Sequence, residues 1–102
     1  LKSGYLYIVI NEAFPQWVKV GITTNLKDRL HLYQTCDPYR GYKLVYSLHH
    51  PQYKEAEKKI KETIVPFALE IRGEWYRIDL SMAKSRLDEA LESYNNGEWA
   101  EV

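Results

Sequence analysis

The chain opens on two alternating runs, GYLYIVIN (Gly4 to Asn11) and WVKVGI (Trp17 to Ile22). Apolar side chains recur at every second position, the period of a half-buried strand. Leu6, Ile8 and Ile10 share one side of the first run, and Val18, Val20 and Ile22 one side of the second. These aliphatics predict a core face on a pair of strands, Tyr5–Asn11 and Trp17–Ile22, joined by a short loop holding Phe14 and Pro15. The reverse side carries Tyr5, Tyr7, Trp17, Lys19 and Gly21, and its aromatic and polar character predicts a partly open surface.

The period then changes. TNLKDRLHLY predicts a helix from about Asn25 to Thr35 with Thr23 or Thr24 as N-cap. Asp37-Pro38 and Gly41 punctuate the loop that follows. Leu44–Leu48 reads as a strand, and Gln52–Ile64 as a helix with Pro51 in its first turn and Pro66 ending it. Glu74–Ile78 is a short aromatic strand, and Ser81 is the expected cap of a last helix running to about Tyr94. The last helix stripes Ala83, Leu87, Ala90, Leu91 and Tyr94 on one side, a packing pattern without chemistry. The order β-β-α-β-α-β-α predicts an α+β fold, a small mixed or antiparallel sheet flanked by helices.

At 102 residues the chain is expected to be a single domain, 1–102, and Leu1 in place of an initiator Met suggests a piece excised from a longer protein. Its 45% hydrophobic and 27% charged residues are those of a soluble globular protein. No apolar stretch has the length of a membrane span. A lone cysteine, Cys36, excludes an internal disulfide and fits an intracellular compartment, cytoplasm or nucleoid or nucleus. Formal net charge is zero, which weighs against autonomous high-affinity binding of nucleic acid. A nucleic-acid enzyme of this charge would need a separate targeting domain or an oligomer partner. Aromatic residues make up 14%, and aromatic rings beside Arg and Lys also hold unpaired bases.

Candidate chemistry gathers on the open face. Tyr7 and Lys19 lie on the predicted hairpin, and Arg29 and Tyr33 one turn apart on the first helix. A phenol, an amine, a guanidinium and a second phenol suit an anion such as a phosphodiester. The second helix adds Glu57, at the edge of the inward stripe Tyr53, Ala56, Ile60 and Ile64. A carboxylate bordering a buried face needs a partner, either a basic side chain or a divalent cation. Glu74 is its rival as metal ligand, unless it pairs with Arg72 or Arg77. Each residue also has an ordinary structural reading: packing for Tyr7 and Tyr33, a solvated charge for Arg29, edge protection for Lys19. His49-His50 has no zinc-site spacing, and Cys36 has no evident base partner.

The ordered set resembles the GIY-YIG nuclease family. GYLYI matches the first signature strand, with Tyr7 as the tyrosine of its tripeptide. Lys19-Val20-Gly21 stands where the family usually has Tyr-Ile-Gly; Arg29 follows eight residues after Gly21, and Tyr33 four further on. Glu57 precedes Pro66 by nine residues, as the metal-binding glutamate does in excision-repair members. Gly73-Glu74-Trp75-Tyr76 is similar to the Gly-Glu-Trp-Phe strand of the phage-type and meiotically up-regulated branches. Two departures stand out: Lys19 replaces the second tyrosine, and the asparagine that often follows the metal helix has no clear counterpart after Pro66, where the chain reads Phe67-Ala68-Leu69.

The resemblance implies a metal-dependent DNA endonuclease leaving a 5′-phosphate and a 3′-hydroxyl. In that reading Tyr7 is the general base, Lys19 a nearby cation that favours its phenolate if the strands pair in register, and Arg29 the phosphate clamp. Tyr33 positions the phosphate or relays a proton. Glu57, or alternatively Glu74, holds one Mg²⁺ or Mn²⁺. Tyr5, Trp17 and Gly21, on the same face, are the candidates for substrate contact. The competing expectations are a catalytically degenerate module that binds nucleic acid or protein through this surface, and an unrelated α+β interaction domain.

Overall fold

The computed structural model describes residues 3–96. Strands β1 (Gly4–Asn11) and β2 (Trp17–Thr23) lead into helix α1 (Leu26–Thr35) and strand β3 (Tyr42–His50). Helix α2 (Tyr53–Ile64) runs into a 3₁₀ turn, Val65–Phe67, that contains Pro66. Strands β4 (Glu70–Arg72) and β5 (Trp75–Arg77) form a hairpin ahead of helix α3 (Leu80–Asn95). The five strands make one sheet in the order β3-β1-β2-β5-β4, antiparallel at every pairing.

The core lies on the face that the alternation marks. Leu6, Ile8, Val18 and Val20 are buried there against Ala56, Ile60 and Ile64 of α2, and α3 packs mainly on α2 through Ala83, Leu87 and Ala90. Fully burying an isoleucine is worth roughly 1.5–3 kcal/mol, so α2 is firmly fixed. Ile10 and Ile22, at the ends of the stripe, are only partly buried. Tyr53 completes the helix's inward stripe, because its ring lies where a Cβ on Gly4 would sit, 2.6 Å away.

The opposite face is less open than the residue pattern predicts. Tyr7 and Val9 are as buried as the core aliphatics, since α1 lies over this side of the sheet. That helix buries none of its own residues. Polar contacts dock it instead. The Gln34 amide brackets the Tyr42 backbone, donating to its carbonyl at 2.9 Å and accepting from its N–H at 3.2 Å. Asp37, just past the helix, accepts from the buried Asn11 side chain at 2.8 Å.

A bulge in β3 shapes this face. Ile8 opposes Tyr46 but Val9 opposes Leu44, so Val45 is the extra residue. The slip puts Tyr42 and Leu44 on the same side as Ser47 and His49, which strict alternation would forbid.

Several boundaries differ from expectation. The α1 cap is Asn25, whose side chain accepts from the Asp28 N–H at 3.0 Å, while Thr23 accepts from the Asn25 N–H in the preceding turn. Asp79 rather than Ser81 caps α3, bonding the Met82 N–H. Both are Asn or Asp caps, at least as favourable at this position as Thr and Ser. The unexpected strand β4 turns Gly73 and Glu74 into a hairpin turn, with Gly73 at φ 61°, so Glu74 is not a strand residue.

Because α1 has a cap but no buried anchor, Asn25→Ala is expected to cost about 1 kcal/mol of stability. Chemical denaturation should read that loss, and α1 amides should exchange faster than those of α2. Unchanged stability and exchange would show that the cap does not hold the helix.

Candidate functional site

Pairing places Tyr7 opposite Gly21 and Lys19 opposite Val9 and Trp75. The Tyr7 ring crosses the strand above Gly21, where an added Cβ would lie 2.4 Å from the phenol oxygen. No side chain fits there. The glycine therefore lets Tyr7 reach across β2 toward α1, where its hydroxyl meets that of Tyr33 at 2.8 Å. Arg29 Nη1 donates to the same Tyr7 oxygen at 3.4 Å. Residues 29 and 33 reach one point because they are one helical turn apart.

The electrostatics fit this convergence. Burial above all, and then the contact with Tyr7, raises the Tyr33 pKa well above the ordinary tyrosine value. The Arg29 guanidinium is also held above its ordinary value, chiefly by its hydrogen bond to Tyr7. Either phenol can donate in the pair, and in one of the two arrangements Tyr33 donates to Tyr7. Two donors then aim at Tyr7 Oη, an arrangement that would solvate negative charge developing on that oxygen.

Lys19 belongs to a neighbouring cluster. Its ammonium contacts Glu74 Oε1 at 3.4 Å and lies 5.9 Å from the Tyr33 ring centre and 5.7 Å from that of Trp75. The cation donating to Tyr7 is thus Arg29, and the expected role of Lys19 beside that phenol is not the contact found. The register explains the difference, since it seats Gly21 rather than Lys19 opposite Tyr7.

Glu57 and Glu74 come together through a residue that sequence reasoning passed over. Lys61 Nζ lies 3.3 Å from Glu57 Oε2 and 3.4 Å from Glu74 Oε2. Burial opposes the Lys61 charge, but Glu57 and then Glu74 outweigh it and hold the ammonium above its ordinary pKa. The i,i+4 spacing from Glu57 to Lys61 was the available signal. Glu74 pairs with Lys19 and Lys61, while Arg72 and Arg77 both pair with Glu70.

The fit of a divalent cation rests on these carboxylates. Glu57 Oε2 is buried, and its contact there is with Lys61 Nζ at 3.3 Å. A buried carboxylate oxygen with spare capacity suits Mg²⁺, which commonly takes one or two carboxylates with phosphate and water. Among the described residues no three His, Cys, Asp or Glu side chains form a ready-made cage, so substrate oxygens would have to complete the shell.

The substrate-contact candidates separate. Gly21 lies under Tyr7. Trp17 lines an aromatic cleft with Phe14, Tyr42, Arg72 and Trp75. Tyr5 instead packs edge-on to His49 at 5.0 Å and borders a groove with Leu26, Leu30 and Leu44, apart from the cluster. Tyr42 and Phe14 were not foreseen. Tyr42 faces the site only because of the β3 bulge, and Phe14 offered no signal beyond its loop position.

A family model for the T5orf172 domain matches residues 4–95, from the start of β1 to the end of α3. The chain belongs to the T5orf172 domain family. T5orf172 domains are phage-associated and related to endonuclease-like domains, which marks this one as a nuclease-like or DNA-binding module. No curated protein and no solved structure gives a significant match. No helix among the described residues is long and apolar enough to cross a membrane.

The raised Tyr33 pKa has a consequence for this T5orf172 domain. A group bound more tightly to its proton when folded contributes stability that is complete below the unfolded tyrosine value of about 10 and is lost as pH rises beyond it. Tyr42, Tyr46 and Tyr76 are raised by burial too, so Tyr33→Phe should lessen, not abolish, the alkaline loss. Denaturation midpoints at neutral pH and just above the ordinary tyrosine value should lie closer together in the variant than in the unaltered protein. An identical alkaline loss would contradict the coupling.

Proposed function

We propose that this domain is a metal-dependent endonuclease of the GIY-YIG type, hydrolysing DNA phosphodiester bonds to 5′-phosphate and 3′-hydroxyl ends. The observation that carries the reading is the convergence of Arg29 and Tyr33 on Tyr7 Oη. Hydrolysis needs a base for water, a counter-charge for the phosphorane and help for the departing oxygen.

Tyr7 acts as its phenolate, held by the Arg29 and Tyr33 donors, and becomes neutral as it takes the proton from the attacking water. The negative charge passes to the phosphorane, whose non-bridging oxygens the remaining guanidinium donors of Arg29 bind while the bond to the 3′ oxygen breaks. Tyr33, hydrogen-bonded to the Tyr7 oxygen, orients Tyr7 rather than acting as base. Lys19, on the same face, adds positive charge toward the phosphate. Glu57, with Glu74 beside it, would hold one Mg²⁺ or Mn²⁺, which when bound supplies Lewis-acid stabilisation of the leaving oxygen. Neutral net charge fits a catalytic module brought to DNA by another domain or by a second copy.

A second reading is favoured by Lys61. Its ammonium lies between the two carboxylates, and a domain that keeps it there would bind nucleic acid without hydrolysing it.

Supercoiled plasmid with Mg²⁺ or Mn²⁺ separates the two. Nicking is expected, with Arg29→Ala and Glu57→Ala each lowering the rate on the order of 100-fold. Loss on Glu74→Ala with none on Glu57→Ala would reassign the metal ligand. DNA binding without metal-dependent nicking would replace the nuclease with the binding module.

A further inference from the structure

The cleft between the β1–β2 loop and the β4–β5 hairpin is not used by the hydrolytic site. Its volume is about 390 Å³, and four of its five lining residues are aromatic: Phe14, Trp17, Tyr42 and Trp75, with Arg72. That volume lies within the roughly 300–1,000 Å³ common for small-ligand clefts. Phe14 remains 46% exposed although its loop is tied down by the Phe14 N–H to Asn11 carbonyl and Trp17 N–H to Phe14 carbonyl bonds. A rigid loop therefore presents a large ring to solvent.

The rings are arranged for a planar guest. Phe14 stands edge-on to Trp75 at 5.6 Å, and Tyr42 is tilted 38° to Trp75 at 6.4 Å. Neither of these pairs is stacked face to face, so the rings do not cover one another as a sandwich would. The cleft also adjoins the candidate active site, because Tyr42 packs on Tyr33 at 5.1 Å and Tyr33 on Tyr7 at 6.1 Å. Lys19 Nζ lies within 6 Å of both the Tyr33 and Trp75 ring centres, so a cation stands between cleft and site. Among the described residues none that lines the cleft is acidic, which disfavours a cationic guest such as a modified lysine. An aromatic cleft with Arg72 in its lining and Lys19 beside Trp75 matches a neutral ring joined to a phosphate.

We propose that this cleft holds one unstacked nucleobase beside the scissile phosphate, so that the domain acts on single-stranded or locally unpaired DNA. The inference rests on the nucleic-acid reading above and names its substrate class. A base inside a duplex is stacked on both faces and cannot enter, whereas base-on-aromatic stacking accepts any unpaired base. A chain without surplus positive charge gains from such contacts what it lacks in phosphate neutralisation.

The test uses a short labelled single strand, the same sequence as a blunt duplex, and single strands in which one base at a time is replaced by an abasic analogue. Anisotropy is measured with chelator present, so that no cleavage occurs. The single strand should bind at least about 10-fold tighter than the duplex, and one abasic position should lose about 10-fold while the others lose little. Phe14→Ala, at an exposed loop position, and Trp75→Leu should each flatten the abasic series, with melting curves confirming that the variants fold. Should Trp75→Leu not fold, the abasic series on Phe14→Ala and the unaltered protein decides. Equal affinity for strand and duplex, or a flat series on the unaltered protein, overturns the proposal. Plasmid nicking with a flat series would remove the cleft and leave the nuclease. Position-dependent binding without any cleavage would keep the cleft and remove the nuclease.

Discussion

A tyrosine ring laid across a glycine is the constraint on which the rest of the site depends. Tyr7 and Gly21 face each other across β1 and β2, and a single methyl group on position 21 would occupy the space of the phenol oxygen. Freed of that obstacle, the phenol reaches Tyr33 and Arg29 on a helix from the other side of the chain turn. The contact works in both directions. Helix α1 buries none of its residues, so its position depends on polar links to the sheet, of which the Tyr7–Tyr33 bond is one. Assembling the site and docking the helix are one event.

The second organising feature is the sharing of Lys61 by Glu57 and Glu74. It joins α2 to the β4–β5 turn and, through Lys19 on the same Glu74, to β2. An ion-pair chain at the edge of a core satisfies carboxylates that desolvation would otherwise penalise. It also marks where a divalent cation would have to compete, since an ammonium and a metal ion both satisfy these two carboxylates with positive charge. The competition links the stability of the hairpin to the occupancy of the proposed metal site.

How much of this was legible in the residues follows from the range of the interactions. The β1–β2 faces and the α2 stripe are local periodicities, and the core obeys them through Leu6, Ile8, Val18, Val20, Ala56, Ile60 and Ile64. Glu57 at the margin of that stripe was legible for the same reason. The partners of charged groups were not, because Lys19, Lys61 and Glu74 meet across elements whose register only the fold decides. The bulge at Val45 has no signature in YKLVYSLHH, yet it turns Tyr42 toward Tyr33. Strand β4 escaped because its three residues, Glu70–Arg72, are too few to show a period. The residues offered packing as one reading of Tyr7 but not what would cover it, because α1 presents a polar surface that no hydrophobic pattern announces.

The central claim is that Gly21 serves catalysis by giving Tyr7 its path to Arg29 and Tyr33. Single-turnover cleavage in a double-mutant cycle of Gly21→Ala and Tyr7→Phe tests it most directly, with melting curves to show that each variant is folded. Displacing a reacting group by about an ångström can cost on the order of 100-fold in rate, so Gly21→Ala should lose about that much. Because both changes act on one oxygen, the double variant should be scarcely slower than Tyr7→Phe alone. A folded Gly21→Ala protein that cleaves at the unaltered rate, or losses that simply multiply, would contradict the account.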